Sequence, residues 1–205
     1  HPERVAVARA SLAVSLVGLG RPDDATAEID QATATASGPG RGFVTFLHAL
    51  VLQRTGHLDE AAERYADARP LLAAAGDQAT LARLHLNLGT LRAYRGDITG
   101  AARDFGACER LADELDLPVL SAMAAHNGGF ALGRRGDLAG ALAAFDRAAV
   151  AYRDLGQPDR LVGVLEADRC EVLLDAGLIA EVRTAAETAL GILDQIGEVA
   201  HRHEA

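Results

Sequence analysis

The chain has 205 residues, 49% of them hydrophobic but only 4% aromatic, and a formal net charge of −9. Its 20 basic residues are all Arg and lie among Asp and Glu at helical spacing, which argues against a nucleic-acid binder, since that needs clustered cations to displace counterions from phosphate. No apolar run reaches the roughly 18 residues of a membrane-spanning helix.

Ala and Leu dominate the apolar share, and both favour helix, so an all-α chain is expected. Arg in place of Lys is the codon signature of a GC-rich, bacterial genome. Helical periodicity is already running at "HPERVAVARASL" and still running at "GEVAHRHEA", so both ends are expected to be cuts from a longer protein. The first two helices are expected over about 3–18 and 22–35, with Pro22 at a first helical position. "ASGPGRG", Ala36 to Gly42, reads as a loop because its Gly and Pro forbid helix. Further helices are expected over about 42–55, 58–75, 79–95, 98–116, 119–135, 138–155, 159–176 and 179–196. "DLP" at Asp116 ends the sixth and "LGQPD" at Leu155 ends the eighth. Asp97 and Asp137 stand where a helix N-cap belongs. No stretch alternates as a strand does.

The helices repeat. Gly20, Gly56, Gly96, Gly136 and Gly177 are spaced 36, 40, 40 and 41 residues apart. Five residues after them stand Ala25, Ala61, Ala101, Ala141 and Val182. Nine after stand Ile29, Tyr65, Phe105, Phe145 and Ala186, and twelve after stand Ala32, Ala68, Cys108, Ala148 and Ala189. Seven before them are Ala13, Ala49, Gly89, Gly129 and Cys170, all small. Each choice has a cause. The Gly takes a left-handed turn that ends the first helix of a pair. The small residues let the two helices of a pair approach, and the aromatic fills the space beneath.

This pattern resembles the tetratricopeptide repeat (TPR), with units about six residues longer than the usual 34. The resemblance implies an all-α, right-handed α–α superhelix of about five helix pairs, forming one array over 1–205. The units are about 3–38, 42–77, 79–117, 119–157 and 159–200. "AHNGGFALGRRGDLAGALAAFDRAAVAYRDLGQPD" and "LEADRCEVLLDAGLIAEVRTAAETAL" are similar to the arrays that precede CHAT peptidase domains in actinobacteria. Those domains are caspase-like cysteine peptidases, and no catalytic residue of theirs lies in this chain.

Residues that carry chemistry are sparse. His201 and His203 are two apart and fall on different sides of a helix, where a metal pair wants i, i+4. Cys108 and Cys170 lie outside any CxxC spacing and read as packed residues of a reducing, cytoplasmic setting. The nearby Asp168 and Glu171 should dull the Cys170 thiol. Stacking of one repeat on the next would bring His85 toward His126, but such a pair lacks an orienting carboxylate, so both read as facing solvent or a groove. "YRGD" and "RRGD" follow helices and lack the P-loop Lys, which excludes a phosphate loop. No catalytic residue, cofactor or metal is expected.

What remains is a surface. The first helices of the pairs are expected to line a concave groove. It would be formed by Phe43, Phe46, Leu50 and Arg54, then by Arg83, Leu86, Asn87, Thr90 and Tyr94. Met123, His126, Asn127, Phe130 and Arg134 follow, and Val164, Asp168, Glu171 and Asp175 make the last helix acidic. Phe43, Phe46 and Phe130 facing solvent require a partner to cover them; the alternative is that they pack on neighbouring helices. The leading reading is a non-catalytic module that holds a peptide or protein segment, the rest of its own polypeptide included. The alternatives are a ligand-sensing array of a bacterial regulator and a spacer that self-assembles through its terminal helices, where "ALGILDQIGEVA" stays amphipathic.

Asn87 and Asn127 stand one repeat apart, and an amide offers the donor and acceptor that grip an extended backbone. Arg83 and Arg134 flank them as basic groups for a carboxylate. Replacing both Asn by Ala is expected to weaken partner binding in a titration and leave the melting temperature nearly unchanged. A loss of several kcal/mol in stability would instead make the amides structural.

Overall fold

The computed structural model describes residues 2–156 and 159–203, with side chains for all of these except 159, 160, 193 and 195–203. The expected His201 and His203 pair therefore lies outside the described side chains. Among the described residues there are ten helices and no strand. In chain order they are α1 (Pro2–Gly18), α2 (Pro22–Thr35), α3 (Gly40–Arg54), α4 (Leu58–Ala75), α5 (Gln78–Tyr94), α6 (Ile98–Glu114), α7 (Pro118–Arg134), α8 (Leu138–Asp154), α9 (Asp159–Asp175) and α10 (Ile179–His203). The chain is an all-α helical repeat, with odd-numbered helices opening each pair.

The turns follow from the spaced glycines. Gly20, Gly56, Gly96, Gly136 and Gly177 all have positive φ, between 72° and 88°. The residue after the Gly then reaches back five positions: Arg21 N to Leu16 O, His57 N to Leu52 O, Asp137 N to Leu132 O and Leu178 N to Leu173 O, at 2.9 to 3.0 Å. This is the Schellman arrangement, which satisfies carbonyls that the helix end would leave unpaired. The next helix starts at once. Asp97 Oδ1 accepts from Gly100 N and Asp137 Oδ1 from Gly140 N, both at 2.9 Å. Asp77 caps α5 in the same way through Thr80 N at 3.0 Å.

The loop after α2 is shorter than its Gly and Pro content suggests. α3 begins at Gly40, two residues early, because Glu3 of α1 accepts from Gly40 N at 2.8 Å. A carboxylate there satisfies a free N–H and favours the positive end of the helix dipole.

Two compact units make up the chain, His1–Arg95 and Gly96–Ala205. In the first, α1 packs on α2 and α3, α3 on α4, and α5 on α3 and α4. Its core joins Ala10, Ala13, Ala25, Ile29, Ala32, Ala49, Ala61, Tyr65, Ala68 and Leu72. In the second, α7 packs on α6, α8 and α9, and α9 on α8 and α10. Its core gathers Ala141, Phe145, Ala148, Tyr152, Leu165 and Val172. The repeat positions are thus core positions, most of them fully buried. They loosen in the last pair, where Cys170, Val182 and Ala186 are half-buried.

Small residues at the helix contacts are required by distance. A Cβ on Gly129 would sit 3.1 Å from the Ala141 carbonyl and 3.2 Å from the Phe145 ring. One on Gly133 would sit 2.5 Å from both Val172 methyls, so α7 reaches α9 only through a glycine.

A second periodic turn ends the even-numbered helices. Gly76, Asp116 and Gly156 are 40 residues apart and all have positive φ, 70°, 54° and 57°. Leu117 N closes the same five-back bond to Ala112 O at 2.8 Å. Asp116 is the non-glycine in this series, and the left-handed region strains an L side chain. Asp116→Gly is expected to stabilise the chain by about 0.5–1 kcal/mol in denaturant unfolding, the relieved strain outweighing the freer unfolded backbone. An unchanged or lower midpoint would show that the aspartate is not strained there.

Candidate functional site

Counting back from each turn Gly separates two kinds of position on the odd-numbered helices. Ten residues before it stand Ala10, Phe46, Leu86 and His126, exposed by 0%, 3%, 8% and 5%, which face inward. Ala167, at the same position of α9, is exposed. Thirteen, nine, six and two before it stand half-buried or exposed residues: on α7 Met123, Asn127, Phe130 and Arg134, and on α9 Val164, Asp168, Glu171 and Asp175. That stripe is the outward face of the first helices.

Three of the expected groove residues, Phe46, Leu86 and His126, are therefore corrected. Phe46 is core, its ring 6.4 Å from that of Phe43 and 6.1 Å from that of Tyr65. His126 is also core. One residue, about 100° of rotation on a helix, separates His126 from Asn127 of the outward stripe, whereas Leu47 beside Phe46 is buried too. Phe43, Leu50, Met123 and Phe130 sit between the two cases, half-buried against the cores of their own units.

His126 does have its orienting carboxylate. Nε2 lies 2.9 Å from Asp168 Oδ2, and Nδ1 lies 3.4 Å from the Tyr152 hydroxyl. A carboxylate only accepts, so Nε2 carries a proton; in the neutral ring Nδ1 then accepts from Tyr152. Phe145 and Tyr152 meet the imidazole edge-on at 6.0 and 6.1 Å. The network thereby ties α7, α8 and α9 together. Burial, and then the Asp168 charge, push the Tyr152 phenol up to about 12.

Arg134 is engaged as well. Its Nη1 lies 3.3 Å from Glu171 and 3.1 Å from Asp175. The expected contrast between a basic α7 and an acidic α9 is thus partly neutralised within the unit, by exposed pairs worth little to stability. Asn127 is half-buried on the outward stripe between Met123 and Phe130.

In the first unit the α5 stripe is polar. Asn87 Nδ2 donates to the Arg83 carbonyl at 2.8 Å, one turn back on its own helix, so its donor is turned inward. Thr90 does likewise to Leu86 O at 3.1 Å. Arg54 and Arg83 are exposed, and Tyr94 is 76% exposed.

Sequence reasoning missed the hollows beside the even-numbered helices. One of about 550 Å³ lies between α8, α9 and α10. There Arg169 packs 5.6 Å over the Phe145 ring and pairs with Glu166 at 3.1 Å and Asp146 at 2.8 Å. Another of about 410 Å³ lies between α2, α3 and α4, where burial lowers the His48 pKa and Nδ1 meets Thr33 Oγ1 at 3.2 Å. The signal was available, since Arg169 and His48 both stand eight residues before their turn Gly. Cys170 is half-buried with its pKa raised by burial and then by Glu166, not by the Asp168 and Glu171 neighbours expected to act on it. Cys108 is buried. Among the described residues no group of three His, Cys, Asp or Glu is placed to hold a metal, and no helix is long and apolar enough to cross a membrane.

No protein-family model matches the chain, and no curated protein sequence does. Solved structures match its fold. A kinesin light chain-like protein of nearly identical TPR-like repeats from Podosopora anserina aligns with a TM-score of 0.74 at 14% identity, covering 96% of this chain and 98% of that one. The chain has a TPR-like repeat fold. BtubC (BKLC) from P. vanneervenii aligns equally well, with a TM-score of 0.74 at 18% identity over 96% of this chain and 92% of that one. A Rap protein complexed with competence and sporulation factor aligns at 0.70 with 14% identity, over 97% of this chain and 66% of that one. Identities this low establish the TPR-like fold and leave the partner to the surface.

The buried phenols have a measurable consequence. Below pH 10 Tyr152 is neutral folded and unfolded, and stability does not depend on it. Between about pH 10 and 12 the unfolded chain releases the proton and the folded chain keeps it, so stability falls as pH rises, by on the order of 2 kcal/mol. Tyr65, also pushed up by burial, adds to the same fall. Denaturant midpoints should drop across this window, and Tyr152→Phe should make the drop shallower. An equal slope in the variant would show that the phenol ionises freely in the folded state.

Proposed function

We propose that this chain is a non-catalytic interaction module that holds a peptide or protein segment against the outward stripe of its odd-numbered helices. The observation that carries the reading is the division of labour along those helices. Nearly every position the repeat needs for packing is small or apolar and buried, with the last pair looser, while the stripe beside it holds Asn127, Arg134, Glu171 and Asp175, which the core does not require. Half-buried Met123 and Phe130 between polar neighbours offer apolar contact with hydrogen-bonding groups at the rim, the usual make-up of a protein-binding surface. A Rap protein of similar fold is complexed with competence and sporulation factor, which supports ligand binding as something this architecture accommodates.

The common phase of the five helix pairs supports reading residues 1–205 as one repeat array. The resemblance of the fourth and fifth pairs to arrays preceding CHAT peptidases extends the proposal to the scaffold or sensor part of such a bacterial, cytoplasmic signalling protein. The residue pattern alone supports that extension.

The test is selection of peptides from a random library against the whole chain, followed by titration of Asn127→Ala/Glu171→Ala. Selected peptides are expected to bind the variant at least about tenfold more weakly, or ~1.4 kcal/mol, with the melting temperature unchanged. Equal binding to the variant removes the stripe as the site. A library that yields no binder favours the spacer reading.

A further inference from the structure

Three hollows occupy the same place in different repeats, on the side of the even-numbered helices. The one at α9 and α10 is closed on its third side by α8, through Asp146, Ala149 and Val150. The one at α3 and α4 is closed by α2, through Thr33 and Ala36. The one at α1 and α2, about 660 Å³, is lined by Arg4, Val5, Ala8, Arg9, Leu12 and Glu28 alone. It has two walls where its counterparts have three.

Its residues are nevertheless those of a covered face. Ala8 stands twelve residues before its turn Gly, and the residues at that position in the later pairs, Val44, Leu84, Ala124 and Leu165, are all buried. Val5 and Leu12 are 51% and 48% exposed. In each later pair the neighbour on this side is the second helix of the preceding pair: α2 on α3, α4 on α5, α6 on α7, α8 on α9. The chemistry that completes the hollow at α1 is therefore that of an even-numbered helix.

One such helix has the matching face uncovered. On α10, Leu190 stands thirteen residues after its turn Gly and is 60% exposed, whereas its counterpart on α8, Ala149, is buried. The charges are complementary. Glu187 and Asp194 flank Leu190 and are exposed. Arg4 and Arg9 flank the apolar floor at α1, with Arg9 held in place by Glu28 at 2.7 Å. The counterpart of Glu187 on α8 is Asp146, which reaches across its own hollow to Arg169 at 2.8 Å.

We propose that α10 of one copy fills the open hollow at α1 of a second copy, so that the chain associates head to tail. The two surfaces differ, so the contact is heterologous and adds copies in a line instead of closing a symmetric pair. It uses neither the outward stripe nor any residue assigned to peptide binding, and it stands or falls independently of that reading.

The experiment is sedimentation of the 205-residue chain at rising concentration, with Leu12→Glu blocking the α1 face and Leu190→Glu blocking the α10 face. Both residues are exposed, and unchanged circular dichroism and melting confirm that each variant folds. The unaltered chain should grow past a dimer. Each variant alone should stay a monomer, because every contact needs both faces. An equimolar mixture should form a 1:1 dimer and stop there, since it holds one intact face of each kind. A chain that stays monomeric to about 1 mM overturns the proposal and leaves the α1 face to another segment or protein. Self-association of Leu12→Glu alone, or a mixture that stays monomeric, overturns it too.

Discussion

Two helices can run side by side at short range only where a side chain is missing. Everything else in this protein depends on that constraint. Gly129 lets α7 lie on the backbone of α8, and Gly133 lets it lie on Val172 of α9. Because contact occurs at single small positions, the space left below must be filled by something large. Tyr65 and Phe145 fill it at the same place in two pairs, both fully buried. Close-packed interiors tolerate neither the gap nor the extra methyl, so small and aromatic residues are coupled.

That coupling decides which faces are free. With the contacts assigned, the outward stripe of each odd-numbered helix remains to vary. Position by position it varies widely, from Phe43 to Arg83 to Met123 to Val164. The inward neighbour of this stripe is also used unevenly. Ala10, Phe46 and Leu86 fill it with hydrocarbon, but His126 brings a polar ring into the core of the second unit. A buried imidazole is costly unless both nitrogens are satisfied, and Asp168 and Tyr152 satisfy them. The price of that polar core is a carboxylate withdrawn from the outward face, since Asp168 spends its oxygen on His126 and is not free for a partner.

Repetition has a further consequence at the margins. In the described residues, α1 and α10 each carry a face of the kind that a neighbouring helix covers elsewhere in the array, and Val5, Leu12 and Leu190 on those faces are exposed. The same logic accounts for the looser fifth pair, where Val182 and Ala186 replace the Ala and aromatic of the earlier ones and burial is incomplete.

The sequence by itself determined the helices, the turns and the core. Gly56 and Gly136 mark left-handed turns and Asp97 and Asp137 mark caps through bonds made within a few residues, so their spacing carries the information whole. The 40-residue period assigned Phe145 and Ala141 to the interior because position in a repeat is position in a contact. Gly76, Asp116 and Gly156 were equally legible as a second turn series, masked by the one aspartate. What only the tertiary structure decided is where polar side chains end. Arg134 reaches Glu171 and Asp175 across 37 and 41 residues, and His126 finds Asp168 across 42. Asn87 turns back on its own helix although the same repeat position carries an outward aim. Long side chains choose partners by distance in space and by burial, and a one-residue shift around a helix separates the core His126 from Asn127 of the outward stripe. Local bonding writes itself into the chain; the pairing of charges across it depends on the packing that brings them together.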